Sequence, residues 1–129
     1  MILETTFIVD LLRKKAEAIK KMEELEKDNE AHFVTAPTIH ELWSGLTQIS
    51  RQEEEKIKIM SILEGLPILA LDTPSAEISG KIDGILVKEG RMIDPEDCMV
   101  AGIALHHKEK ILSNDSHFKR IKGLNVENY

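Results

Sequence analysis

One cysteine, Cys98, has no partner within the chain, which excludes an internal disulfide and a cysteine-based zinc cluster. Long apolar runs are also missing. The longest, Cys98 to Leu105, falls far short of the ~20 residues that cross a bilayer. The N-terminal stretch lacks the uninterrupted apolar segment of a signal peptide, because charged residues break it from Glu4 onward. Positive charge is in deficit: 17 Lys and Arg face 23 Asp and Glu, for a formal net charge of −6. That balance argues against non-specific electrostatic binding to DNA, which needs a basic face. It leaves a nuclease open, since a bound cation reverses the local sign of an acidic pocket. There is no G-x-x-x-x-G-K-[ST] loop, no G-x-G-x-x-G after a strand and no G-x-S-x-G elbow, so no motif supports a P-loop, a dinucleotide site or a serine nucleophile. A cytoplasmic protein with no membrane segment is the simplest expectation.

What remains is a soluble globular composition, 42% hydrophobic and 31% charged. With 129 residues the chain is expected to form a single domain, 1–129, with no repeat or linker. Short strand-like runs alternate with longer helical patterns, the pattern of an α/β domain. Strands are expected at Ile2 to Thr5, His32 to Thr35, Ile68 to Leu71, Lys110 to Ser113 and Leu124 to Val126. Helices are expected at Phe7 to about Leu12 and at Lys14 to Lys27. From Pro37, Ile39, Leu42, Trp43, Leu46 and Ile49 form one apolar stripe. Further helices are expected at Arg51 to Glu64, from Asp72-Thr73-Pro74 to near Gly90, and at Asp94 to His107, with a short one near Ser116 to Ile121.

Four acids, Glu4, Glu41, Asp97 and Asp115, lie at or near the ends of these elements. In an open parallel sheet such positions meet beside the carboxyl ends of the strands, where ligands bind. Carboxylates forced together repel unless a divalent cation neutralises them, which points to Mg²⁺ or Mn²⁺. Each acid also has a plainer explanation. Asp94 reads as an N-cap ahead of Pro95, and capping accounts for Asp94 and Asp97 as well as a metal does. Asp115 fits the cap of the helix from Ser116, and Glu41 fits an exposed flank of its helix. Glu4 has no evident capping duty. Thr6 either caps the next helix or orients a metal-bound water, while Ser113 and Asn114 can donate to a phosphate or a water. Asp10 is expected to face solvent or pair with Arg13, and Asp72 to be a helix cap. His106 and His107 suit the last turn of their helix, and His117, close to Asp115, either touches substrate or is a surface residue. His40-Glu41 begins like H-E-x-x-H, but Ser44 stands at the second histidine position, and the zinc-protease motif fails.

Four segments together resemble one family. Ile2-Leu3-Glu4-Thr5-Thr6-Phe7-Ile8-Val9-Asp10-Leu11-Leu12 resembles the opening of PIN-domain ribonucleases, particularly the VapC-type toxins. Ile93 to Leu105, with Asp97 as its opening acid, resembles the family's central helix. Leu112 to Leu124 resembles the closing motif, with its acid at Asp115, and Glu41 matches the helix glutamate. The resemblance implies a PIN-like three-layer domain with a central, mostly parallel, four- to five-stranded sheet flanked by helices. It implies a metal-dependent endoribonuclease acting on RNA, a homodimer and an antitoxin partner. It implies that Glu4, Glu41, Asp97 and Asp115 are catalytic and hold Mg²⁺ or Mn²⁺, that Thr6 supports them, and that Asp94 reaches the ion through water. The sequence departs at one position: Glu4 stands where the family normally has aspartate. The alternative is therefore a catalytically impaired PIN-like binding module acting through dimerisation and partner binding. A phospho-receiver domain fits less well, because the strand before Asp115 ends in Ser113-Asn114 and supplies no lysine.

Overall fold

Strands in the middle of this molecule alternate their side chains between two cores. The computed structural model describes residues 1–129. Strands β1 (Ile2–Leu3), β2 (Val34–Thr35), β3 (Ile68–Leu69), β4 (Ile111–Leu112) and β5 (Val126–Glu127) pair in parallel. β4 lies between β1 and β5, β2 pairs with β3, and a parallel bridge from Ile2 to Phe33 joins the two groups. The resulting order is β3-β2-β1-β4-β5. Ile2 and its partner Ile111 point into a core with Val100, Ile103 and Phe118. Leu3 and its partner Leu112 point the other way, onto Phe7, Ile8, Leu42 and Ile59. Strands buried on both faces are the reason these runs are apolar at successive positions.

Helices α1 (Thr5–Leu12) and α2 (Ala16–Leu25) connect β1 to β2, and α3 (Ala36–Leu46) and α4 (Gln52–Leu63) connect β2 to β3. Helices α5 (Thr73–Lys88) and α6 (Pro95–His107) lead to β4, and a 3₁₀ turn, Ser116–Arg120, leads to β5. The architecture is the expected three-layer α/β sandwich with a parallel sheet. α6 runs close along α5 because Gly102 has no side chain. A Cβ there would lie 2.5 Å from the Ser75 carbonyl oxygen and 2.9 Å from Ser79 Cβ.

Element ends differ from the sequence expectation for local reasons. β1 stops at Leu3, before Thr5, because Glu4 already caps α1. α2 starts at Ala16 and not Lys14, since Lys14 lies in the left-handed region at φ 57 and turns the chain between α1 and α2. α3 closes at Leu46, short of Ile49, with the Gln48 and Ile49 N–H groups donating to the Gly45 and Leu46 carbonyls in tighter turns. No helix is long and apolar enough to cross a membrane.

Candidate active site

The carboxyl ends of β1 and β4, the N-terminus of α6 and the second turn of α3 meet at one point. Glu4 leaves β1 as the N-cap of α1, and is only 2% exposed. Its Oε2 accepts from the Thr6 N–H at 3.0 Å, the Thr6 hydroxyl at 2.6 Å and the Ser113 hydroxyl at 2.8 Å. Glu4 thus does cap a helix, contrary to the sequence expectation, because its longer side chain folds back over the first turn. All three donors converge on Oε2, which leaves Oε1 for another partner. Thr6 accordingly sits inside α1 with its hydroxyl on Glu4, and is not a cap.

Asp97 lies in the first turn of α6, buried to 7% exposure. Capping does not account for it: the Asp97 N–H donates to the Asp94 carbonyl, and the Asp94 side chain makes no cap bond at all. Asp115 does cap, accepting from the His117 N–H at 2.9 Å. Glu41 is no solvated flank residue. Its Oε1 is sequestered from solvent with no hydrogen-bond partner.

Glu4, Glu41, Asp94, Asp97 and Asp115 line one cavity of about 230 Å³, with Thr6 and Arg13 in its wall. Oxygens of Glu4, Glu41 and Asp97 lie within 4.8 Å of one another. Burial, then the charges of Glu4 and Asp97, push the Glu41 carboxyl up to about 7. Burial, then the charges of Glu4 and Asp115, push Asp97 up to about 7 as well. Carboxylates with one orphaned buried oxygen and raised pKa values fit a hard divalent cation, which supplies the missing charge and takes oxygen ligands.

Two expected donors are used inside the protein. Ser113 is fully buried and points at Glu4, so it positions that carboxylate and does not face outward. The Asn114 amide donates to the Tyr129 carbonyl at 2.9 Å, and its oxygen accepts from the Tyr129 N–H at 3.0 Å. Asn114 therefore fastens Tyr129, beyond β5, and its amide is not free for the site. Asp10 pairs with Lys15 and the Tyr129 hydroxyl, both at 2.8 Å, and not with Arg13. Arg13 makes no ion pair; it lines the acidic cavity, a placement no motif announced. Asp72 caps α5 through Ser75, as expected.

Beside the acids opens a larger groove of about 500 Å³, walled by Val9, Leu12, Leu42, Leu46, Ile49 and Ile59. Glu41 and Arg13 belong to both. Gly45 leaves the groove open, since a Cβ there would meet nothing within 4 Å.

The PIN domain family model matches residues 1–124. The chain is similar to the tRNA(fMet)-specific endonuclease VapC of Shigella flexneri, 24% identical over 98% of this chain and 96% of that protein. Its fold is similar to that of VapBC2 from Rickettsia felis bound to a DNA fragment from its promoter, at TM-score 0.88 and 24% identity over 98% and 96% of the two chains. It is also similar to DNA-bound VapBC from Salmonella typhimurium, at TM-score 0.86 and 25% identity over the same shares.

Proposed function

Because this chain belongs to the PIN domain family, we propose that it is a divalent-metal-dependent endoribonuclease and the toxin of a toxin–antitoxin pair. The observation that carries the reading is the convergence of Glu4, Glu41, Asp97 and Asp115 on one cavity, with Glu41 Oε1 buried and unpartnered. Likeness to a tRNA endonuclease and to VapBC structures supports RNA as substrate and an antitoxin as partner.

Glu4 Oε1, Asp97 and Asp115 are the direct ligands in this reading, with Glu41 beside them and Asp94 reaching the ion through water. Mg²⁺ or Mn²⁺ supplies, when bound, a water of lowered pKa and charge stabilisation at the phosphate. Thr6 and Ser113 hold Glu4 in one orientation, so the carboxylate need not reorganise when substrate arrives. Arg13 offers its guanidinium to a phosphate at the cavity wall. Glu4 in place of aspartate is compatible with catalysis here, because its extra length is taken up by the cap while one oxygen stays free.

The apolar groove beside Glu41 suits an amphipathic segment of the antitoxin whose Lys or Arg enters the acidic cavity and excludes the cation. A homodimer completes the proposal. Exposed Trp43, Ile57, Met60 and Ile68 on α3, α4 and β3 form the apolar surface available for it.

The test is incubation of the protein with mixed cellular RNA in Mn²⁺, in Mg²⁺ and in chelator, beside Asp97→Asn. Cleavage that requires both metal and Asp97 supports the proposal. Equal cleavage by Asp97→Asn would overturn the site.

A further inference from the structure

We infer that Tyr129 is a positioning residue for the substrate: by holding Asp10 it leaves Arg13 unpaired, and Arg13 takes an RNA phosphate at the rim of the acidic cavity. The inference rests on the nuclease reading above and gives a role to a side chain outside the acids.

Arg13 is the one cation among the residues that line the acidic cavity, and it is exposed. Local sequence alone would neutralise it. Asp10 stands three residues earlier, a spacing at which helix side chains meet and opposite charges pair. Asp10 lines the same cavity. Both of its oxygens are nevertheless taken. Oδ1 lies 2.8 Å from Lys15 Nζ, and Oδ2 accepts from the Tyr129 hydroxyl at 2.8 Å. Arg13 is left without an ion pair.

Tyr129 is fixed at this place by several contacts. It lies two residues beyond β5, and the Asn114 side chain binds its N–H at 3.0 Å and its carbonyl at 2.9 Å. The neighbouring Asn128 amide donates to the Ser113 carbonyl at 2.8 Å. The Tyr129 ring packs edge-on against Phe7 of α1, with centroids 4.9 Å apart. The phenol thus reaches α1 from the segment that follows β4.

Packing on Phe7 would account for the ring. It would not account for the hydroxyl, which phenylalanine lacks while keeping the same contact. The hydroxyl decides which partner Asp10 Oδ2 has. Without it, Oδ2 is free to turn to Arg13, whose guanidinium binds carboxylate and phosphate with the same paired N–H groups. Asp10 and an RNA phosphate therefore compete for one side chain.

The experiment is single-turnover cleavage of bulk transfer RNA in Mn²⁺ over a series of KCl concentrations. The proteins are the parent, Arg13→Ala, Tyr129→Phe and the double variant Tyr129→Phe/Asp10→Asn, each checked by its thermal melt. Tyr129→Phe should raise the half-saturating protein concentration about 10-fold, the scale of a lost charged hydrogen bond, with the plateau rate unchanged. Its log–log salt dependence should be shallower by about 0.7 to 0.9, the slope of one phosphate contact, as in Arg13→Ala. The double variant should recover both values, which a loss of packing would not allow. If Tyr129→Phe matches the parent, or if Asp10→Asn fails to restore it, the inference is wrong while the nuclease reading stands. If the parent cleaves no RNA, that reading falls and takes the inference with it.

Discussion

The Ser113 hydroxyl donates to Glu4 Oε2 at 2.8 Å, joining the residue after β4 to the residue after β1, 109 positions apart in the chain. The two strands are paired in parallel, so these positions adjoin by register, and a serine there can orient the first acid of the site. Thr6 completes the hold from within α1. Together they fix which oxygen of Glu4 remains available.

Ser113→Ala removes one of three donors to Glu4 Oε2 and the acceptor for the Asp115 N–H. The fold should persist, while Mn²⁺ affinity falls by about 10-fold, the usual cost of losing an interaction that orients a metal ligand. Isothermal calorimetry of the purified variant measures it. Unchanged affinity would remove Ser113 from the positioning role.

Metal-free protein should lose stability as pH rises from about 4.5 to about 7. Glu41 and Asp97 titrate near 7 in the folded state, against ordinary values of 4.5 and 3.8. Across that window the folded state binds more protons than the unfolded one, so each step up in pH favours unfolding. Asp10, Asp72 and Glu127, held below their ordinary values, act in the opposite sense at lower pH. Thermal melts in chelator at about pH 5.5 and about pH 8 should therefore show the lower Tm at the higher pH. Added Mn²⁺ should erase the difference, and a flat profile in chelator would count against the mutual repulsion of these acids.

Asp97→Asn removes one of the repelling charges. At about pH 8 its metal-free Tm should exceed the parent's by several degrees, although its activity is lost. Differential scanning calorimetry decides this, and a variant less stable than the parent would mean that Asp97 serves the fold.

Gly102→Ala should destabilise the protein by about 1–3 kcal/mol, the usual range for overpacking. The new Cβ would meet the backbone of Ser75 and Ser79, which cannot rotate away. Since α6 carries Asp97, activity should fall with it. Urea denaturation gives the value; a change near zero would show that α5 and α6 separate freely.

The layers were legible in the sequence because both periods are strong: apolar pairs for buried strands and three-to-four spacing for the helices. Asp97 and Asp115 stand out by position, the first in the opening turn of an apolar helix and the second after an apolar strand. The side-chain duties were not legible. Glu4 and Asp94 both stand at an N-cap with extended backbone, yet only the Glu4 side chain turns back onto its helix, and no local sequence signal separates the two. Ser113 and Asn114 are adjacent polar residues with nothing local to separate them. Tertiary register turns the first to Glu4 and the second to Tyr129. Proximity in sequence offers solvent or Arg13 as the surroundings of Asp10, but the turn at the left-handed Lys14 brings Lys15 to it instead.

In the proposed function the four acids form one cation-dependent centre for RNA cleavage. The most direct test is single-turnover cleavage by protein stripped of metal and then resupplied with Mn²⁺, in the parent, Asp97→Asn and Asp115→Asn. No cleavage is expected after stripping, with recovery in the parent alone and folded, inactive variants. Cleavage by stripped protein, or recovery in Asp97→Asn equal to the parent, would contradict it.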